Sequence, residues 1–343
     1  MKLIVHIGIG KTGTTSIQET LRENKSALEC QKTFYIGLNM ELSPVKKFEW
    51  QSSGSWHKVL ELEPKEATRQ LSFLLQKTMI ELEKRKIEKV IWSNESLIEN
   101  PEIVIPTLKS LKKNGYEIDI IAYIRRHDAW ARSAYLQWGI KHKTYQGAVI
   151  TFREWVKRGV SFSHLVKPWI TEKWDNTYIR NFDACVELLA DFFNCCNLSV
   201  ANISIARAND TPGNVALNMW ALFNSQRPNT VLPYELENLF TKTKIIDKQY
   251  KPVGLDNIFP KEEDLKQVLI EAQNDIDEID RIFTRFKQPK LDRTPLKPKD
   301  FKVSGEELFC GLLDIVQSQH VMIGNLERKL SRIEAFIAER EKR

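Results

Sequence analysis

A lysine set among glycines and hydroxyl residues is the part of this chain best suited to hold an anion. The run is Gly8-Ile9-Gly10-Lys11-Thr12-Gly13-Thr14-Thr15-Ser16. Glycines let the backbone approach a ligand closely. A helix starting just beyond the run offers unpaired N–H groups and the positive end of its dipole, which together favour phosphate. Lys11 adds a point charge, and Thr14, Thr15 and Ser16 add hydroxyl donors. Gly8 and Gly13 have the spacing of the glycines in the triphosphatase pattern G-x-x-x-x-G-K-[ST]. The residue after Gly13 is Thr14, however, and the lysine has moved inside the loop to Lys11, nearer the leaving-group bridge of a shorter ligand. The next buried strand runs into Ser93-Asn94-Glu95. A magnesium-dependent triphosphatase usually places an Asp there, so no metal requirement is expected. The plain alternative is a glycine-rich turn with no ligand.

A second anion site is expected at Tyr123-Ile124-Arg125-Arg126-His127-Asp128. Arg125 stands at the carboxyl end of an expected parallel strand, where open α/β sheets bind ligands. Ser133 follows eight residues on, about two turns along the next helix. Pairing of Arg125 with Asp128 and a packing role for Ser133 remain open, as does Arg126 in place of Arg125. Two anion sites on one sheet suit a nucleotide phosphorylated at both ends.

The segment His6 to Ser16 resembles the 5′-phosphosulfate loop of the sulfotransferase superfamily, in the form of its bacterial glycan-type members. In that family an arginine at the position of Arg125 and a serine eight residues later bind a 3′-phosphate, which implies that role for Arg125 and Ser133. The resemblance implies 3′-phosphoadenosine 5′-phosphosulfate (PAPS) as donor and 3′-phosphoadenosine 5′-phosphate (PAP) as product, with no metal. It implies Gly10, Lys11, Thr12, Gly13, Thr14, Thr15 and Ser16 as the phosphate cradle. It also implies a hydroxyl acceptor, with a carbohydrate favoured.

An acceptor hydroxyl needs a general base. Glu95, at the same sheet edge as the loop, is the first candidate and His57 the rival. Glu95 also reads as an exposed carboxylate at a helix start, and His57 as a solvated loop histidine. His6 reads as packed, and His127 as a further nucleotide contact. The likeness continues more loosely through His164 to Asp183 and through Asn209 to Asn224. The basic, glycine-containing loop that closes over the 3′-phosphate in many members is not evident. Two other readings stand beside this one. A P-loop kinase or triphosphatase requires magnesium and a lysine directly before Thr15. A non-catalytic module of the same fold would exist for its C-terminal helix.

The elements that must position these residues follow from periodicity. Short apolar runs at Leu3–Ile9, Val90–Trp92, Ile118–Ile124 and Thr177–Asn181 alternate with amphipathic stretches at Thr15–Asn24, Pro64–Arg85, Pro101–Lys113, Ala129–Trp138 and Ala184–Phe193. That alternation predicts an α/β fold, a P-loop-like parallel sheet flanked by helices. Gly37–Trp56 reads as a long loop, and the chain beyond Thr211 as mostly helical. Residues 1–284 are expected to form the sulfotransferase domain, 285–304 a Lys- and Pro-rich linker, and 305–343 a coiled-coil helix. In that tail Val316, Ile323, Leu326, Leu330, Ile333 and Ile337 recur at three and four spacing. A homo-oligomer is the expected consequence.

Composition bounds the rest. The 343 residues are 42% hydrophobic and 28% charged, with formal net charge +6. This is ordinary for a globular protein and too diffuse for a nucleic-acid partner. Lys141, His142 and Lys143 form a basic stretch suited to an acceptor cleft or a solvated loop. The five cysteines are odd in number and include no CxxC pair, which fits free thiols in a reducing compartment. No run reaches the length of a membrane span, and the chain opens directly into a strand. A cytoplasmic protein is expected.

Overall fold

The computed structural model describes residues 1–52, 54–205, 214–232 and 258–341. In chain order the elements are β1 (Lys2–His6), α1 (Thr14–Glu23), α2 (Lys25–Cys30), β2 (Thr33–Tyr35), α3 (His57–Leu60), α4 (Pro64–Lys84), β3 (Lys89–Ser93), α5 (Pro101–Lys113) and β4 (Glu117–Ile124). There follow α6 (His127–Ala134), a π-helical stretch (Tyr135–Lys141), α7 (Phe152–Val156), α8 (Phe162–Ile170), β5 (Asn176–Asn181), α9 (Leu188–Cys195) and α10 (Asn214–Ser225). The chain closes with α11 (Glu262–Glu271), α12 (Gln273–Arg285) and α13 (Gly305–Glu341). Among the described residues no helix is long and apolar enough to cross a membrane.

The chain divides into two compact units. The first holds Met1–Ala134, Val156–Asp210 and Lys261–Lys297. Its five strands are all parallel, in the order β2-β3-β1-β4-β5. The pleat sends alternate residues to opposite faces. Leu3 and Val5 join a core built with α4, α5, α8 and α12, and Ile4 joins one built with α1, α2 and α9. Burial on both faces explains why these strands read as unbroken apolar runs. β1 is central, with Val5 opposite Trp92 of β3 and Ile120 of β4. The chain leaves β1 toward β2 and leaves β4 toward β5. The connections therefore diverge between neighbours β1 and β4, which opens a crevice at their carboxyl ends.

Several elements differ from the sequence expectation, among them the additional helices α2, α3, α7 and α8. β2 is an additional strand, too short for any period to show. The stretch expected as helix from Ala184 begins at Leu188. Asn181 caps a 3₁₀ turn there by accepting the Asp183 N–H at 3.0 Å, and Glu187 stays extended. The helix expected through Trp138 changes hydrogen-bond pitch after Ala134.

The second unit holds Tyr135–Trp155, Thr211–Pro260 and Pro298–Arg343. In it α10 packs on the π-helical stretch and on α13, and Phe259 stacks on Phe301. Lys143 is fully buried, and its Nζ donates to the carbonyls of Tyr145, Gly147 and Arg227 at 3.2, 2.6 and 3.0 Å. This corrects the placement of Lys143 on an exposed basic surface, because three carbonyls already absorb its donors. Asn209 and its neighbours lie outside the described residues.

Candidate functional site

β1 ends at His6, one residue before a last ladder bond from the Ile7 N–H to the Ile121 carbonyl at 3.0 Å. Lys11 and Gly13 both take left-handed backbone angles, φ 71° and 77°. Gly13 is the N-cap of α1, and a Cβ there would lie 2.2 Å from Cδ2 of Leu188. Both the angle and the contact demand glycine. The loop is tied at three points. Thr12 Oγ1 donates to the Ile9 carbonyl at 2.5 Å, Trp130 Nε1 to that of Gly10 at 3.0 Å, and Arg125 Nη1 to that of Lys11 at 3.2 Å. The last two ties come from α6 and the end of β4, so the two sides of the crevice are joined through the loop itself.

Inside the loop two buried polar atoms, Thr14 Oγ1 and His6 Nε2, have no hydrogen-bond partner among the described residues. Both would stand 3.0 Å from a Cβ placed on Gly8. A bare glycine between two unsatisfied polar atoms is a cradle that any side chain would fill. His6 presents its Nδ1 to Ser93 Oγ at 2.8 Å and meets Tyr123 and Phe192 edge-on. Burial lowers its pKa to about 3, so its ring is neutral. Thr15 is exposed, while Gly10, Lys11 and Ser16 are half-buried.

Arg125 lies over the Phe182 ring, 5.0 Å from its centre, with Nε 3.6 Å from Asp183 Oδ1. That separation is an ion pair but exceeds a hydrogen bond, and Nε is buried without a hydrogen-bond partner among the described residues. Burial pulls the guanidinium below its ordinary pKa, opposed by the Asp183 charge. Arg126 is differently placed. Its Nε and Nη2 grip Asp128 at 2.7 and 3.0 Å, Nη1 reaches Asp292 at 3.0 Å, and Nη2 also donates to the Thr294 carbonyl. Asp128 accepts the Leu296 N–H at 3.0 Å as well. Part of the Lys- and Pro-rich segment is thus clamped against the end of β4. Ser133 is half-buried on α6, and its hydroxyl makes no hydrogen bond among the described residues.

Glu95 opens a 3₁₀ turn directly after β3, fixed by Asn94 Oδ1 accepting the Ser96 N–H at 2.9 Å. Gln18, one helical turn beyond Thr14, donates from Nε2 to Glu95 Oε2 at 2.9 Å and to the Ser93 carbonyl at 3.2 Å. Helix α1 therefore sets both the loop hydroxyl and the carboxylate. Nearby, the buried Tyr35 hydroxyl has no hydrogen-bond partner among the described residues. Burial and the charges of Glu41 and Glu95 raise its pKa.

The structure brings Gly10, Lys11, Thr12, Gly13, Thr14 and Arg125 into one contiguous arrangement and links Glu95 to it through Gln18. His57 is exposed on α3, with Nδ1 3.2 Å from the Gly54 carbonyl. None of its described contacts reaches the loop. His127 turns the other way and meets Asp275 Oδ2 at 2.7 Å. Sequence reasoning missed Gln18 and the Trp130 tie. Gln18 carried one usable signal, its i+4 spacing from Thr14 on the same helix face. The chain matches no protein-family model and no curated protein.

Proposed function

We propose that this protein is a PAPS-dependent sulfotransferase acting on a hydroxyl acceptor, with a carbohydrate favoured. The observation that carries the reading is the unsatisfied, buried Thr14 hydroxyl in a glycine cradle whose lysine turn is bonded directly to Arg125. A buried polar group without a partner costs roughly 1–3 kcal/mol, and an anion held by the loop removes that cost. The residues present fit the nucleotide. The loop N–H groups, Lys11 and Thr14 would hold its 5′ phosphosulfate end, and Arg125 with Ser133 its 3′-phosphate.

When bound, the donor supplies the sulfuryl group and a phosphate leaving group. Glu95 Oε1 or Oε2 takes the proton of the acceptor hydroxyl, and Gln18 keeps that carboxylate oriented. Lys11 and the start of α1 would hold the phosphate side of the donor and supply positive charge there. Self-association through the C-terminal helix and a cytoplasmic setting belong to the same reading.

Titration of the purified protein with PAP in the absence of magnesium, beside ATP, tests it. We expect PAP to bind and to raise thermal stability by mass action. Arg125→Ala should weaken binding by about 2 kcal/mol, roughly thirtyfold in Kd. No response to PAP alongside a response to ATP with magnesium would replace this reading with a kinase or triphosphatase one.

A further inference from the structure

Helix α13 leaves one apolar stripe uncovered. Leu308, Leu312 and Ile315 are half-buried where the helix packs on α10 in the same unit. Another row is not covered. Phe309, Val316, Ile323, Leu330 and Ile337 recur at intervals of seven and are 59%, 53%, 46%, 56% and 49% exposed. Gln319, Leu326 and Ile333 recur at the same interval, each three residues after a member of that row, and Leu326 and Ile333 are 64% and 55% exposed. These are the a and d positions of a heptad repeat. A straight helix drifts by about 20° per heptad against such a repeat. A stripe kept in phase from Val316 to Ile337, about 32 Å of helix, is covered along its whole length only by a supercoiling partner.

We propose that the partner is a second copy of this chain, and that the two α13 helices pair in parallel and in register as a two-stranded coiled coil. This rests on the self-association proposed above but not on the sulfuryl-transfer chemistry. Three features set the proposed geometry. β-Branched Val316, Ile323 and Ile337 at a, with Leu326 at d, favour two parallel strands and outnumber Leu330 at a and Ile333 at d, which favour larger assemblies. Lys329 occupies a g position and Glu334 the following e position, and both are exposed. A parallel pair sets Lys329 of each copy against Glu334 of the other. An antiparallel pair sets e against e, so that Glu327 and Glu334 meet carboxylates. Gln319 lies at d inside the seam. In register its amide meets its own copy and both can hydrogen-bond, whereas any other register buries it against apolar side chains.

Sedimentation of the full chain between about 1 and about 100 µM, followed by cysteine cross-linking, tests the proposal. The expected species has twice the chain mass of 39.9 kDa. Ile323→Glu should give monomer, and the exposure of Ile323 keeps this variant folded. With the exposed Cys30 and with Cys310 of α13 both changed to Ser, Leu326→Cys should form an interchain disulfide on oxidation. Glu334→Lys should weaken the dimer about tenfold in Kd, and Lys329→Glu added to it should restore the affinity. A monomer at every concentration overturns both the dimer and the self-association beneath it. A dimer that neither cross-links at Leu326→Cys nor recovers in the double charge swap overturns the parallel, in-register geometry alone. A trimer or tetramer overturns the two-stranded assignment.

Discussion

At the scale of single residues, burial decides charge. His6 is fully buried and stays neutral down to about pH 3, while in the unfolded chain it takes a proton near pH 6.5. Its folded pKa is depressed, so the unfolded state binds more protons between those values. Stability is therefore complete above about pH 6.5 and falls as the pH drops toward 3. Replacing it by a side chain that never ionises removes this loss. Relative to His6→Gln, the wild type should lose about 1.4 kcal/mol for each pH unit below 6.5. Urea midpoints of both proteins at pH 7.5, 6.5 and 5.5 would show this, and parallel midpoints would refute it. The sequence marked His6 as packed, and Lys11, Gly13 and Arg125 as a constellation, because glycine and lysine in a loop carry their chemistry in their types. It could not show that Gln18 reaches Glu95 or that Asp183 stands beside Arg125. Those pairings cross many residues, and side-chain aim leaves no periodic trace.

Elements are held by groups supplied from elsewhere in the chain. Asp275 of α12 accepts the N–H groups of Phe162 and Ser163 at 2.9 and 3.0 Å, and the Ser161 hydroxyl at 2.7 Å. It thereby caps the start of α8 with a negative charge, the sign the helix dipole favours there. The Ser163 hydroxyl and His127 Nε2 meet the same carboxylate. Burial opposes this charge, but hydrogen bonds from His127, Ser163 and Ser161 outweigh it and hold the carboxyl well below the usual range. Asp275→Ala should cost about 3 kcal/mol at neutral pH, since it strips one acceptor from several buried donors at once. A depressed folded pKa means that this stabilisation is present above the ordinary Asp value of about 3.9 and lost as the pH falls through the folded one. The gap between wild type and variant should therefore narrow below about pH 4. A variant within about 0.5 kcal/mol of wild type at neutral pH would show that water replaces the cap. Long amphipathic elements were legible, α5 to the residue and α4 to within one, because both a period and an N-terminal proline mark them. β2 was not, because three residues hold no period.

On the scale of the whole molecule, each unit is assembled from chain segments far apart in sequence. The second draws on 135–155, 211–260 and 298–343. A linear pattern of apolar residues marks which positions are buried but not which segments are buried together, so this grouping was not legible. The helical C-terminal stretch was, since its pattern needs only local spacing. If α13 pairs as proposed, its helical signal should melt at a temperature that rises with protein concentration. Ile323→Glu should melt at one temperature whatever the concentration. Circular dichroism at two concentrations a hundredfold apart checks both.

Lys143 has a consequence for chemistry done on this protein from outside. Its amine is sealed from solvent, bonded to three carbonyls, and lowered in pKa by burial. An acylating reagent that marks surface lysines passes this one by while the second unit is closed. Once the unit opens, the same amine is as reactive as any other. The chain thus carries a native reporter of its own opening, readable by mass without adding a probe.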